Sequence, residues 1–266
     1  MLEWKRKWSG EYALLIKGAR RVGKSTLAEQ FAKNEYKSYV FIDFSRVSKT
    51  LLSLFDDISD LDFLFMRLQQ ETGVKLYEQQ SVIVFDEVQE CPRARQAIKH
   101  LVKDGRYDYI ETGSLISIRK NVQNIIIPSE EMQMILHPLD LEEFMWATGH
   151  EVGLSILRMF YDKRVPLDAT HRTMMRNLRL YMLVGGMPQA VNAYLKYNNM
   201  QMVDKVKREI IELYDNDFMK MDPSGRASMI FKNIPAHLNS NASRFMISSA
   251  IDSRKTDSVD IVISEM

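Results

Sequence analysis

The chain has 266 residues, 45% of them hydrophobic, which is enough for one large domain or two of modest size. Its 36 basic and 35 acidic side chains give a formal net charge of +1, which argues against a surface built throughout for nucleic acid but allows a local basic patch. The lone cysteine, Cys91, excludes an internal disulfide framework and is typical of a protein of the reducing cytosol.

The N-terminal segment MLEWKRKW is basic, but no apolar core of a signal peptide follows it. No later stretch approaches the roughly 18 apolar residues that a membrane-spanning helix needs. The five histidines lack the spacing of metal ligands. We therefore expect a cytoplasmic protein without a membrane segment or a zinc site.

Apolar runs alternate with helical patterns through the first half of the chain. The strand candidates are YALLIK (12–17), SYVFIDF (38–44), SVIVFDE (81–87), RYDYIETG (106–113), and NIIIP (124–128) with MQMIL (132–136). Helical spacing occurs in KSTLAEQFAK (24–33), in residues 51–72 and in RARQAIKHLVK (93–103). Gly73 follows the second of these and is a typical stop signal for a helix. This alternation predicts an α/β fold with a mainly parallel sheet that helices cover on both faces.

The pattern becomes helical after Pro138, and no convincing strand occurs in residues 140–222. We predict a sheet domain in residues 1–139, an all-α subdomain in 140–222 and a C-terminal segment in 223–266. That segment contains one or two short helices and a strand candidate, DIVIS. It ends without a polar tail, so we expect that more protein originally followed.

The stretch GARRVGKST, residues 18–26, lies between a strand and a helix and matches G-x-x-x-x-G-K-[ST]. Its glycines let backbone N–H groups point at phosphate oxygens, and the following helix adds the positive end of its dipole. Lys24 would reach the β- and γ-phosphates, and the Ser25 hydroxyl would bind Mg²⁺. The alternative is a basic surface turn. The predicted nucleotide-binding residues are Gly18, Ala19, Arg20, Arg21, Val22, Gly23, Lys24, Ser25 and Thr26.

Two acidic residues, Asp86 and Glu87, close the apolar run VIVFDE. An acidic pair at the end of a buried strand is unfavourable unless another group uses the charges. Beside a phosphate loop, Asp86 would hold Mg²⁺, and Glu87 would orient or deprotonate the attacking water. A solvated strand end is the alternative.

The stretch ETGSLIS, residues 111–117, follows the next strand and supplies two hydroxyl groups. Thr112 or Ser114 could reach the γ-phosphate or the attacking water, and a plain Gly-Ser turn is the alternative. Hydrolysis also benefits from a cation that stabilises the charge of the transition state. The candidates for such a cation are Arg93, Arg95, Arg119 and Lys120, with Arg20 and Arg21 inside the loop.

With these residues, the chain resembles the prokaryotic AAA-type P-loop ATPases that carry a C-terminal domain of unknown function related to restriction endonucleases. The matching stretches are LLIKGARRVGKST, VIVFDEVQECPRARQAIKHLV, YIETGSLISI, HPLDLEEFMWATG and YMLVGGMPQAVNAYL, in family order over about residues 10–220. The resemblance implies ATP and Mg²⁺ as ligands, with Lys24, Ser25, Asp86 and Glu87 in the roles given above and Ser114 as the sensor. It places residues 140–222 as a helical lid, in which GGMP (185–188) is either a tight turn or a hinge.

The chain departs from this family in two ways. Many relatives carry a Gly-Arg pair after the fourth strand, whereas IPSEEMQMILHPLD contains no arginine, which puts hydrolysis or its trigger in doubt. The nuclease-like domain is absent, and IFKNIPAHLNSNASRF resembles only the start of a winged-helix segment. Residues 223–266 are therefore interpreted as a partial, truncated winged-helix-like segment.

The main hypothesis is a Mg²⁺-dependent, ATP-binding ATP hydrolase in which the nucleotide drives movement of the lid. One alternative is a switch that binds ATP with little hydrolysis. Another is a module that binds DNA through its C-terminal region, with the ATPase core as a scaffold. A homo-oligomer also stays open, because a neighbouring subunit could supply the missing arginine. Adenine is favoured over guanine because the sequence has no Asn-Lys-x-Asp element.

Overall fold

Five parallel strands form one sheet in the order β2-β3-β4-β1-β5. The structure is a computed structural model and describes residues 1–114 and 129–239. Every neighbouring pair of strands is parallel, which confirms the predicted α/β class. The strand candidate NIIIP (124–128) lies outside the described residues. The strands are β1 Ala13–Gly18, β2 Ser38–Asp43, β3 Ser81–Asp86, β4 Asp108–Ser114 and β5 Glu131–Leu136.

Five helices accompany the sheet, and one predicted helix is divided into two. Residues 51–72 form parts of α3 and all of α4, because Ser48 caps the first helix and Asp60 caps the second through their side-chain oxygens. Gly73, in a left-handed conformation, ends α4 as the sequence predicted. The helix α1 was not predicted from the sequence. The helices are α1 Leu2–Lys7, α2 Lys24–Glu35, α3 Lys49–Ser53, α4 Leu61–Thr72 and α5 Pro92–Asp104.

Both faces of the central strands are buried, so these strands contain long apolar runs. In β1, Ala13 and Leu15 belong to one core cluster, while Leu14 and Ile16 belong to the cluster on the opposite face. All six residues of β3 are buried. A strand covered on both faces reads as a continuous apolar run, which is why SVIVFDE was identifiable.

The described chain after β5 is helical, as predicted for residues 140–222. The described chain divides into a sheet unit, with Met1–Gly18, Gly23–Leu136 and the chain from Tyr214 onward, and a helical unit, with Ala19–Val22 and His137–Leu213. None of the helices in the described ranges combines the length and the apolar character needed to cross a bilayer. The strand candidate DIVIS lies outside the described residues. The later helices are α6 Leu141–Ala147, α7 Glu151–Lys163, α8 Ala169–Val184, α9 Pro188–Tyr197, α10 Met200–Met221 and α11 Arg226–Asn239.

The GGMP segment of the helical unit is fixed by a close backbone contact. The N–H of Leu139 donates to the carbonyl of Gly186 at 2.8 Å. A Cβ atom on Gly186 would lie 2.1 Å from the carbonyl oxygen of Leu139, so only glycine fits at this position. This geometry supports the tight-turn interpretation of GGMP over the hinge interpretation.

Three ionisable side chains, from α5, β4 and β5, are buried close together, and the sequence analysis did not predict this cluster. Arg95 of α5 makes a bidentate contact to Glu131 of β5 at 3.1–3.2 Å, and the two side chains are 3% and 1% exposed. Glu111 of β4 is fully buried beside the carboxylate of Glu131. Burial, followed by the negative charge of Glu131, raises the pKa of Glu111 well above its usual range.

The buried Glu111 predicts a specific dependence of stability on pH. Folding raises the pKa of this carboxyl, so the folded chain binds the proton more tightly than the unfolded chain does. The free energy of unfolding should therefore fall as the pH rises above about 4.3, the unperturbed pKa of glutamate. The side chain of Glu111→Gln stays neutral at every pH. The free energy of unfolding of this variant should therefore rise relative to that of wild type as the pH increases, by about 1.4 kcal/mol in total for each unit by which folding raises the pKa of Glu111.

Urea unfolding of both proteins between pH 5 and 8 measures this difference. Glu78→Gln removes an exposed carboxylate and serves as the matched control, with no pH-dependent gain expected. A stability difference between Glu111→Gln and wild type that does not change with pH would show that Glu111 is ionised in the folded chain.

Candidate functional site

The carboxyl ends of the parallel strands bring the predicted site residues to one edge of the sheet. Gly18 at the end of β1 lies opposite Ser114 at the end of β4. Asp86 at the end of β3 lies opposite Asp43 at the end of β2. Ligands of open parallel sheets bind at this edge, because side chains and loops from several strands converge there.

The phosphate loop takes a backbone conformation that suits anion binding. Arg21 has φ 66° and Gly23 has φ 99°, so the chain turns through left-handed conformations before α2 begins at Lys24. The first turn of α2 itself contains no acidic residue that could compete with a phosphate for its positive N-terminal end. The loop can therefore direct backbone N–H groups at a phosphate.

The Lys24 side chain is folded back onto the loop. It is only 5% exposed, and its Nζ donates to the carbonyl oxygen of Gly18 at 3.3 Å. A buried ammonium group is stable only beside acceptors or negative charge. A phosphate group bound in the loop would supply that charge at the place where the side chain already lies.

Asp86 is the centre of a small hydrogen-bonded cluster. It is 6% exposed, and its Oδ1 accepts a hydrogen bond from the hydroxyl of Thr112. The Ser25 hydroxyl also hydrogen-bonds this carboxyl group. Burial raises the pKa of Asp86, while the hydrogen bonds from Thr112 and Ser25 oppose the rise. The structure thus brings together the two residues predicted to bind Mg²⁺.

Glu87 leaves the strand through a strained backbone conformation. Its φ is 52° and its ψ is 49°, a left-handed conformation that costs a non-glycine residue about 1–2 kcal/mol. Its N–H donates to Thr112 Oγ1 at 3.3 Å, and Gln89 Nε2 donates to its carboxylate. The turn therefore gives two adjacent acidic residues different surroundings, Asp86 buried and Glu87 more exposed.

Gln89 is a site residue that the sequence analysis missed. It is 6% exposed, and its amide holds the Glu87 carboxylate from within the same short helical turn, Val88–Glu90. The signal that could have found it is its position two residues after Glu87, in DEVQ. Such short-range contacts are common in tight turns but are not evident from hydrophobic periodicity.

The two hydroxyl residues of β4 occupy different places. Thr112 is fully buried, and its hydroxyl is engaged by both Asp86 and the backbone of Glu87. Ser114 is 7% exposed and lies in register with Gly18, where the phosphate loop begins. Ser114 is therefore the one of the two that adjoins the phosphate loop, and Thr112 holds the acidic pair.

Two of the arginines considered for the transition-state charge already have partners. Arg93 is exposed and pairs with Asp56, and Arg95 is buried against Glu131. Arg119 and Lys120 lie outside the described residues. Arg21 is exposed within the phosphate loop.

The donor atoms at this edge fit Mg²⁺ bound together with a nucleotide. A carboxylate from Asp86 and a hydroxyl from Ser25 are hard oxygen ligands of the kind that Mg²⁺ prefers. Within residues 1–114 and 129–239, no group of three or more His, Cys, Asp or Glu side chains could hold a metal ion. Mg²⁺ in phosphate-transfer sites commonly takes phosphate oxygens and water as further ligands beside one or two protein groups.

The bridging role of Thr112 makes a prediction about stability. Thr112→Val keeps the shape but removes the hydroxyl, which leaves the buried Asp86 and the Glu87 N–H without that partner. Losing these hydrogen bonds should lower the free energy of unfolding by about 1–3 kcal/mol, measured by urea unfolding at pH 7. Thr112→Ser retains the hydroxyl and should lose less. A loss in Thr112→Ser with no loss in Thr112→Val would show that packing of the methyl group, rather than the hydroxyl, matters here.

Comparison with known families identifies the N-terminal part of the chain. A family model described as AAA domain matches residues 10–145, which is just over half of the 266 residues. A domain of unknown function, DUF8612, matches residues 175–260. No curated protein matches the chain. The resemblance to ATPases that carry a nuclease-related C-terminal domain therefore stays a prediction.

The chain is also similar to solved structures, at low identity. PCH-2 from C. elegans is 12% identical over 78% of this chain and 63% of its own, with a TM-score of 0.41. A STAND ATPase with a tetratricopeptide repeat sensor from Pyrococcus horikoshii is 13% identical over 96% of this chain and 42% of its own, with a TM-score of 0.42. The RuvB Holliday junction branch migration motor of Thermotoga maritima is 13% identical over 94% of this chain and 77% of its own, with a TM-score of 0.39.

The chain thus spans 42–77% of the length of these three proteins. With TM-scores below 0.5, the similarities carry no argument about its activity. The family match is stronger, because residues 10–145 contain the phosphate loop, the acidic pair and all five strands. On this evidence the chain belongs to the AAA domain family of ATP-binding P-loop ATPases.

Proposed function

We propose that the chain hydrolyses ATP in a Mg²⁺-dependent reaction at the carboxyl edge of its sheet. The observation that carries this proposal is the cluster in which Asp86 receives hydrogen bonds from Thr112 and Ser25. Ser25 directly follows Lys24 at the start of α2, so the acidic strand end and the phosphate loop meet at one point. Phosphoryl transfer needs this juxtaposition of a phosphate cradle and an acidic residue.

Binding in this proposal depends on the phosphate loop. Lys24 would exchange its contact with the Gly18 carbonyl for oxygens of the β- and γ-phosphates. Asp86 and Ser25 would hold Mg²⁺, which when bound neutralises phosphate charge and polarises the phosphoryl group. Thr112 would act as a positioning residue, because its hydroxyl keeps the Asp86 carboxylate in place.

Glu87 is the proposed general base. Its carboxylate is less buried than that of Asp86, and the Gln89 amide fixes its orientation. Glu87 would accept a proton from water as the water oxygen forms a bond to the γ-phosphorus. The bond from that phosphorus to the β,γ-bridging oxygen breaks, and its electron pair leaves with ADP. Ser114, beside the start of the loop, would contact the γ-phosphate.

We also propose that nucleotide occupancy moves the helical lid, residues 140–222, relative to the sheet domain, residues 1–139. The support is that Ala19–Val22 of the phosphate loop form one compact unit with His137–Leu213. A phosphate that orders this part of the loop would therefore act on the helical unit as well. A motion of this kind requires different nucleotide affinities in the two arrangements.

A switch that binds ATP with little hydrolysis is the second candidate. It is favoured by the engagement of Arg93 with Asp56 and of Arg95 with Glu131, which removes two candidates for the cation that stabilises the transition state. If a second copy of the chain supplies that cation, the specific activity will rise with protein concentration. Turnover that stays negligible at every concentration would favour the switch.

Two other sequence-based alternatives have less support. The absence of an Asn-Lys-x-Asp element from the sequence argues against GTP. A DNA-binding module built on the C-terminal region would rely on residues 223–266, of which α11 is the described helix and 240–266 lie outside the described residues.

Glu87→Gln tests the proposed general base. The variant keeps the size and the hydrogen bond from Gln89 but cannot accept a proton, so ATP binding should persist. Loss of a general base lowers turnover by about 10²–10⁴-fold. The assay is phosphate release under multiple turnover, with ATP binding followed separately by thermal stabilisation.

Glu90→Gln is the matched control, since Glu90 lies exposed in the same short helical turn. It should leave turnover unchanged. Turnover in Glu87→Gln equal to that of wild type would remove Glu87 from the mechanism, while leaving nucleotide binding by the loop intact.

A further inference from the structure

Helix α8, Ala169–Val184, presents a row of arginines on one face. Arg172, Arg176 and Arg179 are separated by four and three residues, so they lie on the same side of the helix. All three are exposed. The helix sequence ATHRTMMRNLRLYMLV contains no acidic residue that could offset them.

This arrangement is unfavourable for the isolated helix. Like charges at spacings of three or four residues destabilise a helix. Within the part of the chain that the structure describes, none of the three arginines forms an ion pair. Other arginines of the helical unit do: Arg158 pairs with Glu142, and Arg208 pairs with Asp204. The row therefore stands out from the surface around it.

A fourth cation lies at the C-terminal end of the row. Lys207 of α10 donates to the backbone carbonyl of Leu183 at 2.7 Å, and Leu183 continues the same helix face four residues after Arg179. At about 1.5 Å of rise per residue, the face from Arg172 to Leu183 is about 16 Å long. A lysine ammonium has three donors, so Lys207 can cap the helix and still contact an anion.

The charge is a local feature of this segment rather than of the whole chain. Residues 163–184 contain five basic side chains and one acidic side chain, Asp168, whereas the whole chain has 36 and 35. The chain as a whole is nearly neutral, so this patch does not reflect a general excess of positive charge. A basic patch of this kind indicates a polyanionic partner at that place.

We propose that the arginine row of α8 binds the phosphate backbone of double-stranded nucleic acid, without sequence specificity. Guanidinium groups match phosphate oxygens in a bidentate manner, and a duplex presents about one negative charge per 1.7 Å of its axis. Single-stranded nucleic acid is normally bound with aromatic side chains on which bases stack. The aromatic residue of α8, Tyr181, packs against Phe144 and donates to the Leu139 carbonyl instead.

This inference is independent of the proposed ATPase reaction, since it uses residues outside the phosphate loop and the acidic pair. It also assigns the contact to α8 rather than to the C-terminal segment 223–266. Binding is therefore assayed without added nucleotide, so that failure of the duplex proposal and failure of the ATPase proposal are seen in separate experiments.

The test is fluorescence anisotropy with the full chain and a labelled 24-base-pair DNA duplex between 50 and 200 mM NaCl. Four phosphate contacts predict a slope of about −3.6 for log K against log salt concentration. Arg176→Gln should bring the slope closer to zero by about one unit. The triple variant Arg172→Gln, Arg176→Gln, Arg179→Gln should lower affinity at 50 mM NaCl by at least tenfold.

Arg208→Gln is the matched control. It also removes one exposed positive charge from the helical unit, but Arg208 is paired with Asp204 and lies outside the arginine row. It should leave affinity and slope unchanged. The triple variant removes repulsive pairs, so its melting temperature should equal or exceed that of wild type, which separates loss of binding from loss of folding.

Four results would overturn the proposal. The first is no detectable duplex binding by the wild type at 50 mM NaCl, and the second is an equal loss of duplex affinity in Arg208→Gln and Arg176→Gln. The third is binding of the single strand of the same sequence that is as tight as duplex binding or tighter. The fourth is tighter binding of a 20-residue poly-glutamate that requires the same arginines. The last result would assign the face to an acidic protein partner.

Discussion

The hydroxyl of Thr112 is the point on which the candidate site depends. It lies fully buried between β3 and β4, where it donates to the Asp86 carboxylate and accepts from the N–H of Glu87. One side chain thus fixes both acidic residues, and through Asp86 it is linked to Ser25 at the start of the phosphate-binding helix. The strained backbone of Glu87 is held by the same contact.

The main features of the fold could be predicted from the sequence, because they follow from hydrophobic periodicity and a local motif. SVIVFDE was recognisable as a strand buried on both faces, and the glycine-lysine loop lay between a strand and a helix as expected. Gly73 ended its helix as predicted, since glycine adopts the left-handed conformation without strain. These signals are local, so one sequence is sufficient to detect them.

Other features could not be predicted, because they depend on contacts between distant parts of the chain. The pair of Arg95 with Glu131 and the buried Glu111 join α5, β5 and β4, and no sequence spacing indicates that two carboxyl groups would be buried side by side. Thr112 was predicted as a catalytic hydroxyl, while its observed partners suit a positioning role. The arginines of α8 were visible in the sequence, but their lack of ion pairs within the described residues emerged only from the structure.

The central claim is that the loop beginning at Gly18 and the acidic strand end form a working nucleotide site. A thermal melt tests it most directly, with Mg²⁺-ATP, with Mg²⁺-GTP and without nucleotide. The melt compares wild type with Lys24→Ala, and Lys33→Ala at the other end of α2 is the control. A ligand at a hundred times its dissociation constant stabilises the chain by about 2.7 kcal/mol, a shift of several degrees. The account predicts such a shift with ATP in wild type and Lys33→Ala and its loss in Lys24→Ala. No shift with either nucleotide in the wild type, or an unchanged shift in Lys24→Ala, would contradict it.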